Sequence, residues 1–523
     1  MIFQQVSKLK DKTEKSIFIE LVTVYIRLVE VFCEKNHLER IPGEGGEIGE
    51  RCGRQIGGSA EQAGRKLVHE LCSIGVISGK DELPELRNVL AGQYLPFLHA
   101  VQTAMFYEDM MDGLLDKLYN SRRRKLQDNS RQETALSMVD FFCGAGGLSL
   151  GFIQQGFRVR LANDIEDVCI RTYRYNHPEL PSGRVIQGDI KEIVDRAEEY
   201  IGQDIDVVVG GPPCQGFSEA NRQRVIDDPR NKLYKYFVKA VERIAPRFVV
   251  MENVKGMLKV ADQVVEDYGK LRAGRNGQNY SYLVDYRILN SQYFSVAQSR
   301  ERLIYIAVRS DVAREKNLTP GRIFDEIEAG CEGNKTYILM DALRDIRSLE
   351  APRIKNQNEI DSEACGKKID VNPFENHTNP YLDLINQGRK IPFVFNHKAR
   401  YLSDVNYEIY RRLDQGDDAT DEKIRDIMPY AHRNHCFKDK YYKLIADRPS
   451  RTITAHLKMD CHSHIHPYQV RSLTPREAAR VQSFPDDYLF LGAYLKTYMQ
   501  IGNAVPPVMA RAIAQVIKRY LVS

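Results

Sequence analysis

A cysteine on a rigid loop is the residue of this sequence best placed for nucleophilic chemistry. Cys214 stands in the stretch Gly210-Gly-Pro-Pro-Cys-Gln-Gly-Phe-Ser218, directly after the mostly apolar run 205–209. That run predicts a buried strand, the glycines predict a sharp turn, and the two prolines fix the direction of the chain at the thiol. Open α/β sheets carry their chemistry at the carboxyl ends of such strands. On this stretch alone, a buried structural cysteine is the alternative.

Two other stretches place charged groups at the ends of predicted strands. Glu252 follows the apolar run 248–251, and Arg300 and Arg302 lie in Gln298-Ser-Arg-Glu-Arg302 where another run begins. Side chains two positions apart on a strand lie on one face, so both arginines are predicted to face one partner. Structural roles stay open for all three residues, since Glu252 can cap a helix and the arginines can form ion pairs at a sheet edge.

A glycine-rich turn and two acids predict a nucleotide site. The stretch Asp140-Phe-Phe-Cys-Gly-Ala-Gly-Gly147 predicts a tight turn from strand to helix, which brings backbone N–H groups close to a ligand. Asp164 ends the next predicted strand 20 positions after Gly144, the spacing at which nucleotide-binding folds place an acid on a ribose hydroxyl. Asp189 follows the third strand and adds a second acid. Because the full dinucleotide fingerprint is absent, we expect one adenosine rather than NAD.

These stretches resemble, in order, the sequence blocks of the cytosine-5 DNA methyltransferases, from about Ser137 to the C-terminus. The stretches 448–455 and 500–507 resemble the block that organises the recognition domain and the last block, which returns to the cofactor pocket. The resemblance implies that Cys214 adds to carbon 6 of cytosine, which makes carbon 5 nucleophilic, and that Glu252 is the acid at ring nitrogen 3. It places Arg302 at the cytosine carbonyl and Arg300 nearer the backbone and the nucleophile loop.

The same resemblance implies S-adenosyl-L-methionine as the cofactor. Phe142 and Ile165 match the positions that flank the adenine, and Asp164 matches the acid that binds the ribose. Asp189 matches a hydrogen-bonding partner of the adenine, and Ile190 matches the apolar wall beside the adenine. The remaining cofactor residues implied in this way are Gly144, Gly146, Gly147, Pro213, Asn503 and Val505.

Alternating strands and helices predict an α/β fold with a doubly wound, mostly parallel sheet, and the resemblance implies the Rossmann-like methyltransferase version of it. The predicted strands are 138–142, 158–162, 184–186, 207–209, 248–251, 282–289 and 302–308. We expect a helical N-terminal extension of unknown role at 1–134 and a catalytic domain at 135–310. An inserted, irregular target-recognition domain is expected at 311–447, followed by C-terminal blocks at 448–523 that return to the catalytic domain.

Composition allows this function without requiring it. The chain has 523 residues, 43% of them apolar, and a formal net charge of +4, which predicts more than one domain and permits an acidic polymer as partner. No run is long enough for a membrane helix, and ten scattered cysteines favour reduced thiols, so we expect a cytoplasmic protein, associated with the nucleoid in a bacterium. The stretch Cys461-His-Ser-His-Ile-His466 lacks the spacing of a structural zinc site, and no metal is expected.

The expected partner is double-stranded DNA, bound by a monomer, in a restriction-modification system whose endonuclease would be a functional partner. Arg389, Lys390, Arg411 and Arg412 are predicted to position phosphates. Three alternatives stay open: a transfer-RNA cytosine-5 methyltransferase, a non-catalytic DNA-binding module and an unrelated thiol enzyme. The long segment 311–447 favours DNA over RNA, and a pure binding module needs neither Cys214 nor Glu252.

Overall fold

The computed structural model describes residues 3–38, 60–107, 136–177, 179–196, 199, 201, 204–213, 232–275, 278–355, 360–429 and 440–522. The chain divides into two compact units. One consists of Met1–Glu133 with the short segments Arg174–Ser182 and Ile369–Asn372, and the other of Thr134–Tyr173, Gly183–Lys368 and Pro373–Ser523. No helix in the described ranges is long and apolar enough to cross a membrane.

The first unit is helical, as predicted. Asp11 starts its long first helix by accepting hydrogen bonds from the N–H groups of Thr13 and Glu14. One helix of this unit ends at Leu90, and the following residue, Ala91, has a positive φ of 48°. The helices described in this unit are α1 Lys12–Asn36, α2 Ala60–Ser73, α3 Leu83–Leu90 and α4 Tyr94–Phe106.

The second unit is built on a seven-stranded sheet in the order β3-β2-β1-β4-β5-β9-β8. Strands β1 to β5 are parallel, whereas β9 is antiparallel to β5 and β8 is antiparallel to β9. The described strands are β1 Ser137–Phe141, β2 Arg158–Asp164, β3 Val185–Gln187, β4 Val207–Gly210, β5 Phe248–Asn253, β6 Ala273–Arg275, β7 Gln278–Tyr280, β8 Tyr282–Asn290, β9 Glu301–Arg309, β10 Gly366–Val371 and β11 Phe393–Lys398. The prediction of an α/β fold with a mostly parallel sheet is confirmed.

Helices cover the sheet and connect its strands. The apolar side chains of β1, β4 and β5 form one core with those of the helices Lys232–Ile244 and Ala261–Gly269, and the helix Pro507–Val522 packs against the helix Gly147–Gln154. The described helices are α5 Gly147–Gln154, α6 Asp167–Asn176, α7 Ile190–Asp195, α8 Lys232–Ile244, α9 Ala261–Gly269, α10 Ser310–Glu315, α11 Pro320–Ala329, α12 Leu339–Leu343, α13 Pro380–Asn386, α14 Asp404–Arg412, α15 Pro475–Val481, α16 Tyr494–Asn503 and α17 Pro507–Val522.

Buried polar contacts join residues 381–396 to the C-terminal part of the second unit. The Tyr381 hydroxyl donates to the Arg480 carbonyl at 2.6 Å, and the Asn386 amide donates to the Asp486 carboxylate at 3.2 Å. Asn396 donates to the Phe490 carbonyl at 2.9 Å. Buried hydrogen bonds require close geometry, so these contacts fix this part of the irregular segment in place.

A fully buried ion pair lies at the centre of this polar region. Both Nη groups of Arg471 donate to the Glu477 carboxylate at 2.7 Å, and neither side chain is exposed. Glu477 also accepts from the Thr474 N–H at 2.8 Å and completes the capping box of α15. Burial raises the pKa of Glu477, but the charge and hydrogen bonds of Arg471 outweigh this and hold the pKa well below its ordinary range.

The Glu477→Gln variant tests this pair. Loss of the carboxylate leaves Arg471 buried without a counter-charge, which costs about 3–5 kcal/mol in comparable cases, so the melting temperature should fall by several degrees. Because the pKa of Glu477 is depressed in the folded protein, its contribution to the free energy of unfolding is fully present above the ordinary glutamate pKa. That contribution is lost as the pH falls from the ordinary pKa towards the depressed one. The difference in melting temperature between the variant and the wild type should therefore become smaller under acid conditions.

Glu408→Gln is the matched control for this measurement, because the Glu408 pairs with Arg411 and Arg412 lie at the surface. Its melting temperature should stay close to that of the wild type. Equal melting temperatures for Glu477→Gln and the wild type at neutral pH would show that the buried pair does not stabilise the fold.

Candidate active site

Four strands of the sheet end or begin at one edge. The parallel strands β1, β4 and β5 end there at Phe141, Gly210 and Asn253. Strand β9 runs in the opposite direction and begins at the same edge, with Leu303 opposite Asn253. Residues that precede or open β9 therefore lie beside residues that close β5.

This geometry brings Glu252 and Arg302 together. The Arg302 Nε atom lies 2.8 Å from Glu252 Oε1, and the two side chains are 15% and 12% exposed. A Cβ atom at Gly211 would lie 2.9 Å from Glu252 Oε2, so a side chain there would force the carboxylate to shift away from the loop after β4. The Asn253 amide donates to the Pro212 carbonyl at 3.0 Å and holds the start of that loop against β5.

Cys214 lies outside the described residues, which end at Pro213 on this side of the loop. The described residues up to Pro213 belong to the same site as Glu252, since Gly211, Pro212, Pro213 and Glu252 line one cavity. The assignment of Cys214 as the nucleophile stays a prediction.

Arg300 is fully buried and makes its hydrogen bonds within the protein. One Nη atom donates to the Ile453 carbonyl at 2.7 Å and the other to the Gly502 carbonyl at 3.0 Å. Burial, followed by the nearby charge of Arg302, lowers the pKa of the Arg300 guanidinium. In this structure Arg300 thus links the start of β9 to the two C-terminal blocks, and a direct role at the target nucleotide stays a prediction.

Asp164 stabilises the glycine-rich turn. Its Oδ2 accepts from the Gly144 N–H at 2.8 Å, and its Oδ1 accepts from the Glu166 N–H at 2.9 Å. Burial raises the pKa of the Asp164 carboxyl above its ordinary value, because its effect exceeds that of the backbone hydrogen bonds, which lower the pKa. A carboxylate can accept about four hydrogen bonds, so Asp164 can still accept one from a ligand.

The glycine-rich turn and the Glu252–Arg302 pair both line one cavity of about 660 Å³. The side chain of Ile165 is 66% exposed at its wall, an unusual position for a large apolar group and a suitable surface for a flat ring. The predicted site residues that line this cavity are Phe142, Gly144, Gly147, Asp164, Ile165, Asp189, Ile190, Pro213, Glu252, Arg300, Arg302, Asn503 and Val505.

One predicted cofactor residue, Gly146, is not among the residues that line the cavity. It precedes α5 with φ 88°, and a Cβ atom there would lie 2.8 Å from the Tyr488 hydroxyl. Gly147 allows the last block to approach, since a Cβ atom at Gly147 would clash with the Val505 carbonyl. The two glycines therefore serve the packing of the turn.

The cavity also contains residues to which the sequence analysis gave no role. Asp140, Cys143, Asn163, Glu166, Cys169, Met499 and Gln500 all line it. Asp140 opens the glycine-rich stretch 140–147 and lies inside an apolar strand. An acidic residue in an apolar strand is uncommon, and this feature of the sequence could have indicated a functional role for Asp140.

The histidines near Cys461 are bonded within the protein. His466 Nδ1 accepts from the N–H groups of Tyr468 and Gln469, and His462 Nδ1 lies 2.9 Å from the Tyr410 hydroxyl. Burial lowers the pKa of His466 to about 4. Across the described ranges there is no group of three or more His, Cys, Asp and Glu residues placed to hold a metal ion.

Residues 136–519 match the model of the C-5 cytosine-specific DNA methylase family. The type II methyltransferase M1.HphI of Haemophilus parahaemolyticus is 32% identical over 391 residues, which cover 73% of this chain and 87% of that protein. The type II methyltransferase M.AgeI of Thalassovita gelatinovora is 30% identical over 446 residues, which cover 73% of this chain and 99% of that protein.

Among solved structures, a prophage-encoded protein of E. coli described as a DNA modification methyltransferase has a TM-score of 0.56 and 24% identity, covering 74% of this chain and all of that one. This likeness supports the fold. The family match spans most of the chain and includes every strand of the central sheet as well as Glu252 and Arg302. The chain therefore belongs to the C-5 cytosine-specific DNA methylase family, and it is a DNA cytosine-5 methyltransferase.

Proposed function

We propose that this enzyme transfers a methyl group from S-adenosylmethionine to carbon 5 of a cytosine within a specific duplex DNA sequence, with the base turned out of the helix and held by a covalent bond to Cys214. The observation that carries the proposal is the single cavity lined by the glycine-rich turn at one end and by the Glu252–Arg302 pair at the other. A reaction between a nucleotide-like cofactor and a base requires the binding site for the cofactor and the binding site for the base to share one enclosed space.

The residues of the turn fit an adenosine-containing cofactor. Gly144 has φ 52°, and apart from its chain neighbours no atom of the described residues lies within 4 Å of the position of its missing side chain, which leaves the backbone open to a ligand. Asp164, the exposed Ile165 and Asp189 would hold the ribose and the adenine. When bound, S-adenosylmethionine would supply an electrophilic methyl group.

The residues of the protein would activate the cytosine. The Cys214 thiolate would form a bond to carbon 6, and the negative charge that this places on the ring would be neutralised by a proton held between Glu252 and ring nitrogen 3. Arg302 would position the Glu252 carboxyl and donate to the cytosine carbonyl. After methylation, loss of the proton on carbon 5 and expulsion of the thiolate would restore the aromatic base and free the enzyme.

Residues 311–447 are proposed to recognise the DNA sequence. Four basic residues of this segment, predicted to contact phosphates, are paired with acids in the structure. Arg389 pairs with Asp487, Lys390 with Asp383, Arg411 with Glu408, and Arg412 with Glu408 and Asp426. These partly exposed pairs would have to open or be shared before the side chains could contact phosphates, which stays a prediction.

We further propose that the enzyme acts as a monomer in the cytoplasm, at the nucleoid, and protects DNA from a cognate endonuclease. Support comes from M1.HphI and M.AgeI, which are named type II methyltransferases. Sequencing genomic DNA from expressing cells for 5-methylcytosine tests the activity and identifies the site. Random or absent methylation in cells that contain the soluble enzyme would contradict a sequence-specific DNA methyltransferase.

Cys214 should form a trapped adduct with 5-fluorocytosine. Fluorine cannot leave as a proton does, so a duplex carrying this base at the target site should stay attached in the presence of S-adenosylmethionine, and mass spectrometry should find it on Cys214. Cys331→Ser, which changes another free cysteine, should trap DNA as the wild type does. Trapping by Cys214→Ser at the wild-type level would contradict the assignment.

Glu252→Gln should slow methyl transfer by roughly 10²–10⁴-fold, the range of general acid–base catalysis, while cofactor affinity stays nearly unchanged. Glu301→Gln is the matched control, because Glu301 directly precedes Arg302 but forms an exposed pair with Lys255 at 2.8 Å. Single-turnover kinetics and cofactor binding measure the two effects separately. A parallel loss of rate and cofactor affinity would indicate that Glu252 supports the fold.

Exchange of residues 311–447 for the corresponding segment of a family member should move methylation to the donor's sequence. The exchange should keep the residues whose buried contacts reach the C-terminal part, which are Tyr381, Asn386, Asn396 and His397. Methylome sequencing of cells that express the chimera reads the outcome. An active chimera that retains the original site would place specificity elsewhere, with the N-terminal helical unit as the next region to exchange.

A further inference from the structure

An ion pair near the glycine-rich end of the cavity has no role in the mechanism above. The Lys496 ammonium lies 3.1 Å from Glu166 Oε2, and the two side chains are 46% and 44% exposed. Glu166 follows β2 and lines the cavity, whereas Lys496 lies in the first turn of α16, 330 positions away. Because α16 also contributes cavity residues, the pair joins two walls of the cavity that come from distant parts of the chain.

One turn further along, the same two walls meet through buried side chains. Cys169 stands three positions after Glu166 and Met499 three positions after Lys496, a spacing that places side chains on one helix face. Cys169 and Met499 are both 5% exposed, line the cavity and pack together with Val168. The contact between α6 and α16 thus has a buried inner part formed by these three side chains and a half-exposed outer part formed by the ion pair.

The backbone on both sides of this contact is fixed. The Leu491 N–H donates to the Thr172 hydroxyl of α6 at 2.9 Å. A Cβ atom at Gly492 would lie 2.3 Å from a Val168 methyl group, so the chain that leads into α16 packs directly against α6. Since the backbone is held, the outer part can open by rotation of the two long side chains alone, a motion that exposed side chains make within nanoseconds.

The cavity meets solvent beside the ion pair. Ile165, the residue before Glu166, lines the cavity and is 66% exposed. The other end of the cavity holds Glu252 and Arg302, and on the proposed function the target base enters there. While duplex DNA covers that end, spent cofactor can be replaced only through another opening. The opening beside Ile165 lies at the end where the adenosine would be held.

We propose that the Glu166–Lys496 ion pair is a gate across this opening, which is closed in the structure and opens to admit S-adenosylmethionine and to release S-adenosylhomocysteine while DNA stays bound. This rests on the proposed use of S-adenosylmethionine. Neither residue takes part in methyl transfer. Exposed ion pairs are weak, so the closed state is only modestly favoured and slows passage in both directions by up to about fivefold.

A gate that is closed with and without cofactor controls the rates of exchange and leaves the affinity nearly unchanged. Lys496→Met and Glu166→Gln should each raise the association and dissociation rate constants of S-adenosylhomocysteine by about two- to fivefold, with Kd constant within about twofold. The double variant should be no faster than the single variants, since either change alone removes the pair. Lys496→Arg retains the charge and should keep the wild-type rates.

Rapid filtration of radiolabelled S-adenosylhomocysteine from the full-length enzyme, chased with unlabelled ligand, measures dissociation, and equilibrium dialysis measures affinity. The measurement is made on the free enzyme and on its complex with a duplex that carries 5-methylcytosine at the methylated site. The variants should accelerate dissociation by the same factor in both, because the gate lies away from the end that the base enters.

Salt provides a second measurement on the same ligand. S-adenosylhomocysteine has no net charge at neutral pH, since its ammonium offsets its carboxylate, so salt acts mainly on the gate. Higher ionic strength should speed dissociation from the wild type and from Lys496→Arg and leave Lys496→Met unchanged.

Lys239→Met is the matched control, because it removes an ion pair to Asp195 at 2.9 Å with side chains 43% and 46% exposed, neither of which lines the cavity. It should exchange the ligand as the wild type does. Weaker binding by Glu166→Gln together with tighter binding by Lys496→Met would show that Glu166 binds the cofactor directly and would overturn the gate.

Two further results would overturn the gate while the proposed cofactor stands. One is unchanged exchange in both variants, and the other is an acceleration that disappears when DNA is bound. If the wild type binds neither S-adenosylmethionine nor S-adenosylhomocysteine, the proposed cofactor is wrong, and the gate is wrong with it.

Discussion

Strand β9 runs against its neighbours, and the pairing of Glu252 with Arg302 depends on that reversal. In a purely parallel sheet, every strand would bring only its carboxyl end to this edge, and each connection would begin there. Because β9 begins where β5 ends, Arg302 at its second position lies beside Glu252 at the penultimate position of β5. The proposed general acid and the cation that would orient it are thus placed on two hydrogen-bonded strands, which position side chains more rigidly than loops do.

The start of β9 is in turn fixed by residues far along the chain. Gln298 accepts from the Ile453 N–H at 2.6 Å and donates to Gln482 at 2.9 Å, while Arg300 bonds to the carbonyls of Ile453 and Gly502. The residues joined in this way are 153 to 202 positions apart. The C-terminal blocks must therefore fold back onto the sheet before the cavity is complete, and close backbone approach at Gly147 is one condition of that return.

The sequence was sufficient to predict the elements of the sheet, since their apolar runs have the length and β-branched composition of buried parallel strands. Strand β4 was predicted as 207–209 and extends by one residue to Gly210. Glu252 and Arg302 could be predicted because each adjoins such a run. The surroundings of Arg389 could not, because its partner Asp487 is 98 positions away and no local pattern links them. Arg300 illustrates the same limit, since alternation predicted a shared face with Arg302 but could not predict which carbonyls would surround it.

The order of strands along the sheet also orders the charges of the cavity. Acids follow or lie within β3, β2 and β1 at Asp189, Asp164 and Asp140, whereas Arg302 belongs to β9, beyond β4 and β5. On the proposed function, a cationic methyl donor would occupy the acidic end, and the ring that becomes negative on thiolate addition would lie near the arginine. The loop after β4 stands between them, and Gly211 to Pro213 carry the chain along the cavity towards Cys214. Each partner would then meet the charge opposite to its own before any bond changes, so the electrostatic preference for methyl transfer would be built into the strand order itself.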